Sequence, residues 1–227
     1  MTVAIIRRLI TTALGLGAAS LLFRQCRKPT GWFGRRLARA MNFGHSRLTR
    51  WGLEHVAIEP HWHVLDIGCG GGQTVRSIAA MTPAGRVEGV DYASASVAVA
   101  RNTNGDLIAA GRVAVRQGSV SRLPFPDSSF ELITAVETHY YWPNFPNDLR
   151  EVHRVLKPQG RFVIIAETFK GRRMDWLYRP VMRFLLRATY LSVDEHRAAL
   201  TEAGFSEVEV HTDAASRWLC AIGVRRD

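Results

Sequence analysis

From His61 onward the sequence keeps switching between short apolar runs and stretches of helical period, and few architectures accept that pattern. "HVLDIG", "GRVEGVDY", "GRVAVRQGS", "SFELITAVE" and "GRFVIIAE" read as five strands. "GQTVRSIAAM", "SASVAVARNTN" and "PNDLREVHRVL" read as helices among them. The last is expected to be capped by Asn147 or Asp148 and stopped by "KPQG". Strands alternating with helices of this length predict a mostly parallel sheet covered on both faces. Beyond Thr168, "DWLYRPVMRFLLRATY" is expected to be helical, with Pro180 starting or kinking part of it. "SVDEHRAALTEAGF" is expected as a helix with Ser192 as cap and Glu195 at the capping-box position. "SEVEVHT" and "RWLCAIGVRR" have no helix between them, which predicts an antiparallel hairpin.

In such sheets ligands bind beyond the carboxyl ends of the strands, where the strand order reverses. "HWHVLDIGCGGGQTV" sits at that place in the first unit, with glycine at four of the five positions 68–72. Glycines there permit a tight turn and close approach of a ligand to the backbone. The N-terminus of the helix that follows points amide donors at the same spot. A dinucleotide would call for G-x-G-x-x-G over its pyrophosphate, whereas Gly68, Gly70 and Gly72 read G-x-G-x-G. Asp66, two residues before the first glycine, would repel a pyrophosphate and suits a cationic amino-acid tail. Asp91 closes the second strand, where a carboxylate can accept from both hydroxyls of a ribose.

"VLDIGCGGG", "VEGVDYA", "LPFPDSSFELITA" and "LREVHRVLKPQGRFVI" together resemble the class I S-adenosylmethionine-dependent methyltransferases. The resemblance is to the small-molecule branch, methyltransferase type 11, that includes the ubiquinone and menaquinone C-methyltransferases. It covers roughly residues 60–168 and, more loosely, "EHRAALTEAGFSEVEV". It implies a Rossmann-like, doubly wound, seven-stranded, mostly parallel sheet with the C-terminal antiparallel hairpin and an N-terminal helical extension. It implies S-adenosyl-L-methionine as cofactor, with Asp66, Gly68 and Gly70 at its methionine end. Asp91 would hold the ribose diol, Tyr92 would lie near the adenine, and Gly118, Ser119 and Val120 would flank the adenine edge. Many relatives carry an acid where Ser119 stands; a serine hydroxyl accepts the same hydrogen bond more weakly.

Methyl transfer from a sulfonium asks the protein for alignment and exclusion of water, and for a base where the acceptor must lose a proton. "VETHYYWPN" follows the fourth strand and supplies the candidates. Glu137, His139 and Tyr140 are the catalytic candidates. Glu137 has a second reading, binding the cofactor's amino group or capping the next helix, and His139 has one as a structural hydrogen-bonding group. Tyr141 and Trp142 are expected to shape the acceptor pocket, where aromatic faces also favour a sulfonium. His153 is expected to pack or face solvent, and Cys69 is not placed as a nucleophile. His61 and His63 share a strand face without a third ligand, so no metal is expected. The loop lacks the Asn/Asp-Pro-Pro-aromatic motif of nucleic-acid amino-methyltransferases and the Pro-Cys nucleophile of cytosine C5 enzymes.

The formal net charge of +10 is confined to one end. Residues 1–50 hold nine Arg, one Lys and no acid, while basic and acidic residues balance over 51–227. A neutral main domain argues against a nucleic-acid partner. The uncharged run 9–23 would make a helix of roughly 22 Å, short of the roughly 30 Å hydrocarbon core. Its readings are an interfacial helix, a helix packed on the domain or a solvated extension, and a span or signal. The expected organisation is a basic, apolar segment over 1–28 that can meet a membrane surface, and a helical cap over 29–58. The cofactor-binding domain spans 59–227, with a helical insertion at 170–190 near the substrate side. Within the cap, Leu37, Met41, Leu48, Trp51 and Leu53 predict two short helices broken near Asn42–Gly44. Trp32, Phe33, Phe43, His45 and Trp51 either cover a pocket or pack on the domain. Cys26, Cys69 and Cys220 form no ligand or disulfide pattern, which suits a cytoplasmic protein, with any interfacial helix on the inner face of the membrane.

Three functions fit this reading. The first is an S-adenosylmethionine-dependent methyltransferase of a small, apolar or lipid-like acceptor. The second is an NAD(P)-dependent oxidoreductase on a similar sheet. The third is a non-catalytic, membrane-associated binding protein that kept the cofactor fold.

Overall fold

The computed structural model describes residue 25 and residues 28–36, 45–171, 175, 182 and 188–227. The apolar run 9–23, Leu37, Met41, Phe43 and 11 of the 16 residues of the expected helix at 175–190 lie outside the described residues.

A helix α1 (Ser46–Leu53) leads into the alternating part. There β1 (His63–Ile67), α2 (Gln73–Met81), β2 (Arg86–Asp91), α3 (Ser94–Thr103), the short α4 (Gly105–Ala109) and β3 (Val113–Gln117) follow in turn. Then come β4 (Phe130–Val136), a 3-10 turn at His139–Tyr141, α5 (Phe145–Val155) and β5 (Leu156–Ala166). The chain ends with α6 (Val193–Glu202), β6 (Ser206–Thr212) and β7 (Leu219–Val224). The seven strands lie in the order β3-β2-β1-β4-β5-β7-β6. The first five are parallel, β7 runs antiparallel to β5, and β6 antiparallel to β7. The order reverses between β1 and β4, so their carboxyl ends open a crevice.

The central strands read as near-continuous apolar runs because both faces are covered. Successive side chains go to opposite faces. Leu65, Ile67, Phe162 and Ile164 join Leu149 and Val152 of α5 and Leu200 of α6. Val64, Val163 and Ile165 join Leu48 and Leu53 of α1, Val75 and Ile78 of α2, and Ala100 of α3. The segment ahead of β1 is thus part of the core. A Cβ on Gly52 would sit 2.5 Å from Ile165 Cδ1, so glycine lets α1 lie directly on the sheet.

The elements follow the sequence pattern closely, with two local departures. The cap of α5 is Asn144, not Asn147 or Asp148: the Asn144 side chain accepts from the Asn147 N–H at 3.4 Å. Asp148 instead reaches back, its Oδ2 accepting from the Asn144 N–H at 2.9 Å. Pro146 in the first turn costs no helical hydrogen bond, so the helix begins before it. Second, "KPQG" does end α5, but β5 starts at Leu156 rather than after it. Leu156 pairs with Phe130 and Arg161 with Leu132, so 157–160 bulge out opposite Glu131, with Gln159 at φ +65°. The Lys157 ammonium anchors that bulge on Glu131 at 2.5 Å. Ser192 and Glu195 form the expected reciprocal capping box of α6.

Candidate active site

A cavity of about 300 Å³ opens beyond the carboxyl ends of β1, β2 and β4. Its floor is the turn after β1. The Gly68 and Cys69 amides both donate to the Val90 carbonyl, at 2.7 and 3.1 Å, which swings the chain away from the sheet. Gly68, Gly70 and Gly72 all have positive φ, but each serves a different end. A Cβ on Gly68 would run into the Thr138 hydroxyl. One on Gly72 would meet Ala100 Cβ at 2.9 Å and Asn104 Nδ2 at 2.6 Å. One on Gly70 would meet nothing nearer than the Gly68 carbonyl oxygen at 4.0 Å, so it would stand in the cavity. Cys69 is buried against Gly89, and burial holds its thiol well above the ordinary range, leaving it inert.

Asp66 and Asp91 face this turn from the ends of β1 and β2. Asp91 is fixed by backbone: Oδ2 accepts from the Gly70 N–H at 3.0 Å and Oδ1 from the Ala93 N–H at 2.8 Å. Each oxygen keeps a lone pair for a further donor, which suits a vicinal diol. Burial raises its pKa and these two amides oppose the rise. Asp66 is buried and accepts from the Thr134 hydroxyl at 2.7 Å. Burial pushes it up to about 7, the Thr134 bond opposes this, and the Asp91 charge adds to it. Among the described residues no lysine or arginine pairs with Asp66. A desolvated carboxylate beside an open glycine turn lacks a cation that a ligand's ammonium would supply. The residues therefore have the chemistry S-adenosylmethionine calls for: Asp66 and Gly70 suit an ammonium-bearing tail, and Asp91 suits a ribose diol.

Tyr92 stands half-exposed at the rim, with the Lys28 ammonium 5.7 Å from its ring centroid. Gly118, Ser119 and Val120 line the same cavity. The Gly118 N–H donates to the Asp91 carbonyl at 3.1 Å, and Ser119 Oγ accepts from the Ser121 N–H at 3.3 Å.

The 3-10 turn after β4 divides the "VETHYYWPN" group. Glu137, Tyr141 and Trp142 line the cavity; His139 and Tyr140 do not. The expectation of His139 as a base facing the acceptor does not match its placement. It is fully buried, with Nε2 3.3 Å from His196 Nε2. His196 Nδ1 lies 2.7 Å from the Ser192 carbonyl, which only accepts, so Nδ1 carries the proton and Nε2 accepts from His139. Burial first, and His196 second, hold His139 well below its ordinary pKa. Tyr140 supports Glu137: its hydroxyl donates to Glu137 Oε1 at 3.0 Å, and the Glu167 N–H donates to the same oxygen at 2.5 Å. Burial and the neighbouring Glu167 carboxylate push Glu137 up to about 8.

Two further residues gather with Glu137, of which His45 lines the cavity and Glu167 does not. Glu167 follows β5, and His45 precedes α1; with Glu137 their ligand atoms all lie within 4.8 Å of one another. Burial lowers His45 and Glu167 opposes the fall. No local pattern marked Glu167: the pairing of Val136 with Ile165 sets Glu137 level with Ala166, one residue before Glu167. Of the other candidates, Trp32 and Phe33 are exposed, and Trp51 packs on Trp218 and His55. His63 packs on Phe130 and His153 on Phe205.

Comparison with known proteins agrees with this geometry. The methyltransferase-domain family model matches residues 65–164. An uncharacterized methyltransferase of Synechocystis sp. is 30% identical over 184 residues, covering 78% of this chain and 82% of that one. The demethylmenaquinone methyltransferase of Symbiobacterium thermophilum is 33% identical over 120 residues, 51% of this chain; the match spans about half, 48%, of that relative's length. Among solved structures, a SAM dependent methyltransferase from Aquifex aeolicus superposes with a TM-score of 0.66 at 18% identity, over 84% of this chain and 97% of the other.

Proposed function

Because the chain belongs to the class I S-adenosylmethionine-dependent methyltransferases, we propose that it methylates a small, apolar or amphipathic acceptor. The observation that carries the cofactor half is Asp66: a buried carboxylate on the cavity wall that no lysine or arginine among the described residues neutralises. Two carboxylates around a glycine turn suit an ammonium and a diol and oppose a pyrophosphate, so the nicotinamide reading has no support here.

When bound, the cofactor supplies a methyl group already activated on a sulfonium. The chain's own task is then placement and exclusion of water. Gly70 leaves room for the tail, Asp66 meets its ammonium and Asp91 the ribose, and Tyr141 and Trp142 close the acceptor side with aromatic faces. Those faces, with Val136 and Pro143, favour a flat or apolar acceptor. The named activity of the Symbiobacterium relative, on demethylmenaquinone, is an acceptor of that kind. No helix among the described residues is long and apolar enough to cross a membrane.

The test is incubation of the full chain with methyl-labelled S-adenosylmethionine and an apolar cell extract, followed by mass identification of labelled products. Label in an apolar small molecule is expected. Label found only in protein or nucleic acid would refute the acceptor class.

A further inference from the structure

We propose that Glu137 and Glu167 act as one carboxyl pair that receives the proton the acceptor gives up on methylation, with His45 as a third proton-holding group on the same wall. The proposal rests on the methyltransferase reading of the same cavity.

Three separate elements converge here, each fixed by backbone. Glu137 follows β4 in a left-handed conformation, φ +57°, and its N–H donates to the Ile165 carbonyl at 2.9 Å. Glu167 follows the neighbouring parallel strand, and its N–H is held by Glu137 Oε1. His45 opens α1, whose Gly52 lies against Ile165 of that strand. Glu137 and His45 both line the cavity, next to Tyr141 and Trp142. Glu137 Oε1 already accepts from Tyr140 and Glu167, which leaves Oε2 as the oxygen free to meet an acceptor.

Two carboxyl groups this close disfavour charge on one another, and on Glu137 that repulsion adds to the effect of burial. The titratable groups facing Glu137 among the described residues are Glu167, Tyr140 and His45. None of them brings a fixed positive charge: Tyr140 is held far above its ordinary pKa and His45 below its own. Burial and the Glu167 carboxylate outweigh the Glu167 N–H, the Tyr140 hydroxyl and the N-terminal charge, so Glu137 is a stronger base than an exposed carboxylate, which is what removal of a proton near neutral pH requires. In the step, a bond forms between the acceptor atom and the methyl carbon. The carbon–sulfur bond breaks with its electron pair staying on sulfur. The acceptor's bond to hydrogen breaks with its pair staying on the acceptor, and the proton goes to the carboxyl pair. The acceptor class is thus one with a hydroxyl, an N–H or an activated C–H to lose.

The experiment uses the full chain carrying carboxyl-labelled glutamate, titrated by carbon NMR with S-adenosylhomocysteine present. One glutamate should titrate near 8, vanish in Glu137→Gln, and move to a midpoint at least one pH unit lower in Glu167→Gln. S-adenosylhomocysteine should still raise the melting temperature of Glu167→Gln. Label transfer to the apolar extract should fall about 10²–10⁴-fold in Glu137→Gln. The acid limb of its pH profile should move to lower pH in Glu167→Gln. Titration of every glutamate in the ordinary carboxylate range would overturn the pair, as would transfer indifferent to both substitutions. Stoichiometric binding of Mn²⁺ or Zn²⁺ that both substitutions abolish would also overturn it, in favour of a cation site. Absence of any S-adenosylhomocysteine effect on the wild type would instead defeat the methyltransferase reading itself.

Discussion

Replacing the loop glycines by alanine one at a time should separate folding from cofactor binding. At Gly70, φ is +52° and the new methyl meets only the Gly68 carbonyl oxygen, at 4.0 Å. The cost to stability is the left-handed backbone alone, about 1–2 kcal/mol. For a chain of this size that lowers the melting temperature by about 2–8 °C. The methyl nevertheless occupies the cavity beside the amide that Asp91 holds, so S-adenosylhomocysteine binding should be lost. At Gly68, φ is +71° and the methyl collides with Thr138. The overlap adds about 1–3 kcal/mol to the backbone cost. Gly68→Ala should therefore destabilise about twice as much as Gly70→Ala. Thr138→Ala in the Gly68→Ala background should recover only part of the overlap, because Thr138 Cβ itself stands 2.7 Å from the new methyl. The assay is urea unfolding of each variant, with calorimetric titration of S-adenosylhomocysteine at a temperature where all are folded. Wild-type affinity in Gly70→Ala would refute the placement of the cofactor tail. Equal destabilisation at Gly68 and Gly70 would refute the contact argument.

Asp66, raised to about 7, contributes stability that is fully present below pH ~4 and is lost as the pH rises through 7. The shift corresponds to about 4 kcal/mol. Asp66→Asn should thus unfold at higher urea than wild type at pH 8, differ little at pH 4, and bind S-adenosylhomocysteine poorly. Binding to wild type near pH 6.5 should release protons as the ligand's ammonium ionises Asp66, read from titrations in buffers of different ionisation enthalpy; no buffer dependence would contradict the pairing. Asn144→Ala should cost about 1 kcal/mol through loss of the α5 cap, with cofactor affinity unchanged. Deleting residues 1–24 should reduce cosedimentation with anionic vesicles, and unchanged partitioning would remove the membrane-surface expectation.

The parts of the fold legible in the sequence are those governed by local pattern. Continuous apolar runs marked the strands, and Ser192 with Glu195 marked the start of α6 by chemistry that needs only neighbours in the chain. Asp66, Gly70 and Asp91 were legible because the sheet fixes where strand ends lie. What escaped depends on pairings between distant segments. The bulge at 157–160 is set by Glu131 and the β4 register, which no local pattern carries. The crowding of five polar and aromatic residues after β4 suggested one shared surface, yet a 3-10 turn cannot aim all of them the same way. It sends His139 to His196, 57 positions further on, and turns Tyr140 into a support for Glu137. Glu167 looked like the tail of a strand, and only its approach to Glu137 across the paired strands gives it meaning.

The most direct test of the central claim is calorimetric titration of the full chain with S-adenosylhomocysteine and, in parallel, with NADH. The account predicts one S-adenosylhomocysteine per chain, lost in Asp91→Ala, and no heat from NADH. NADH binding with no response to S-adenosylhomocysteine would contradict it.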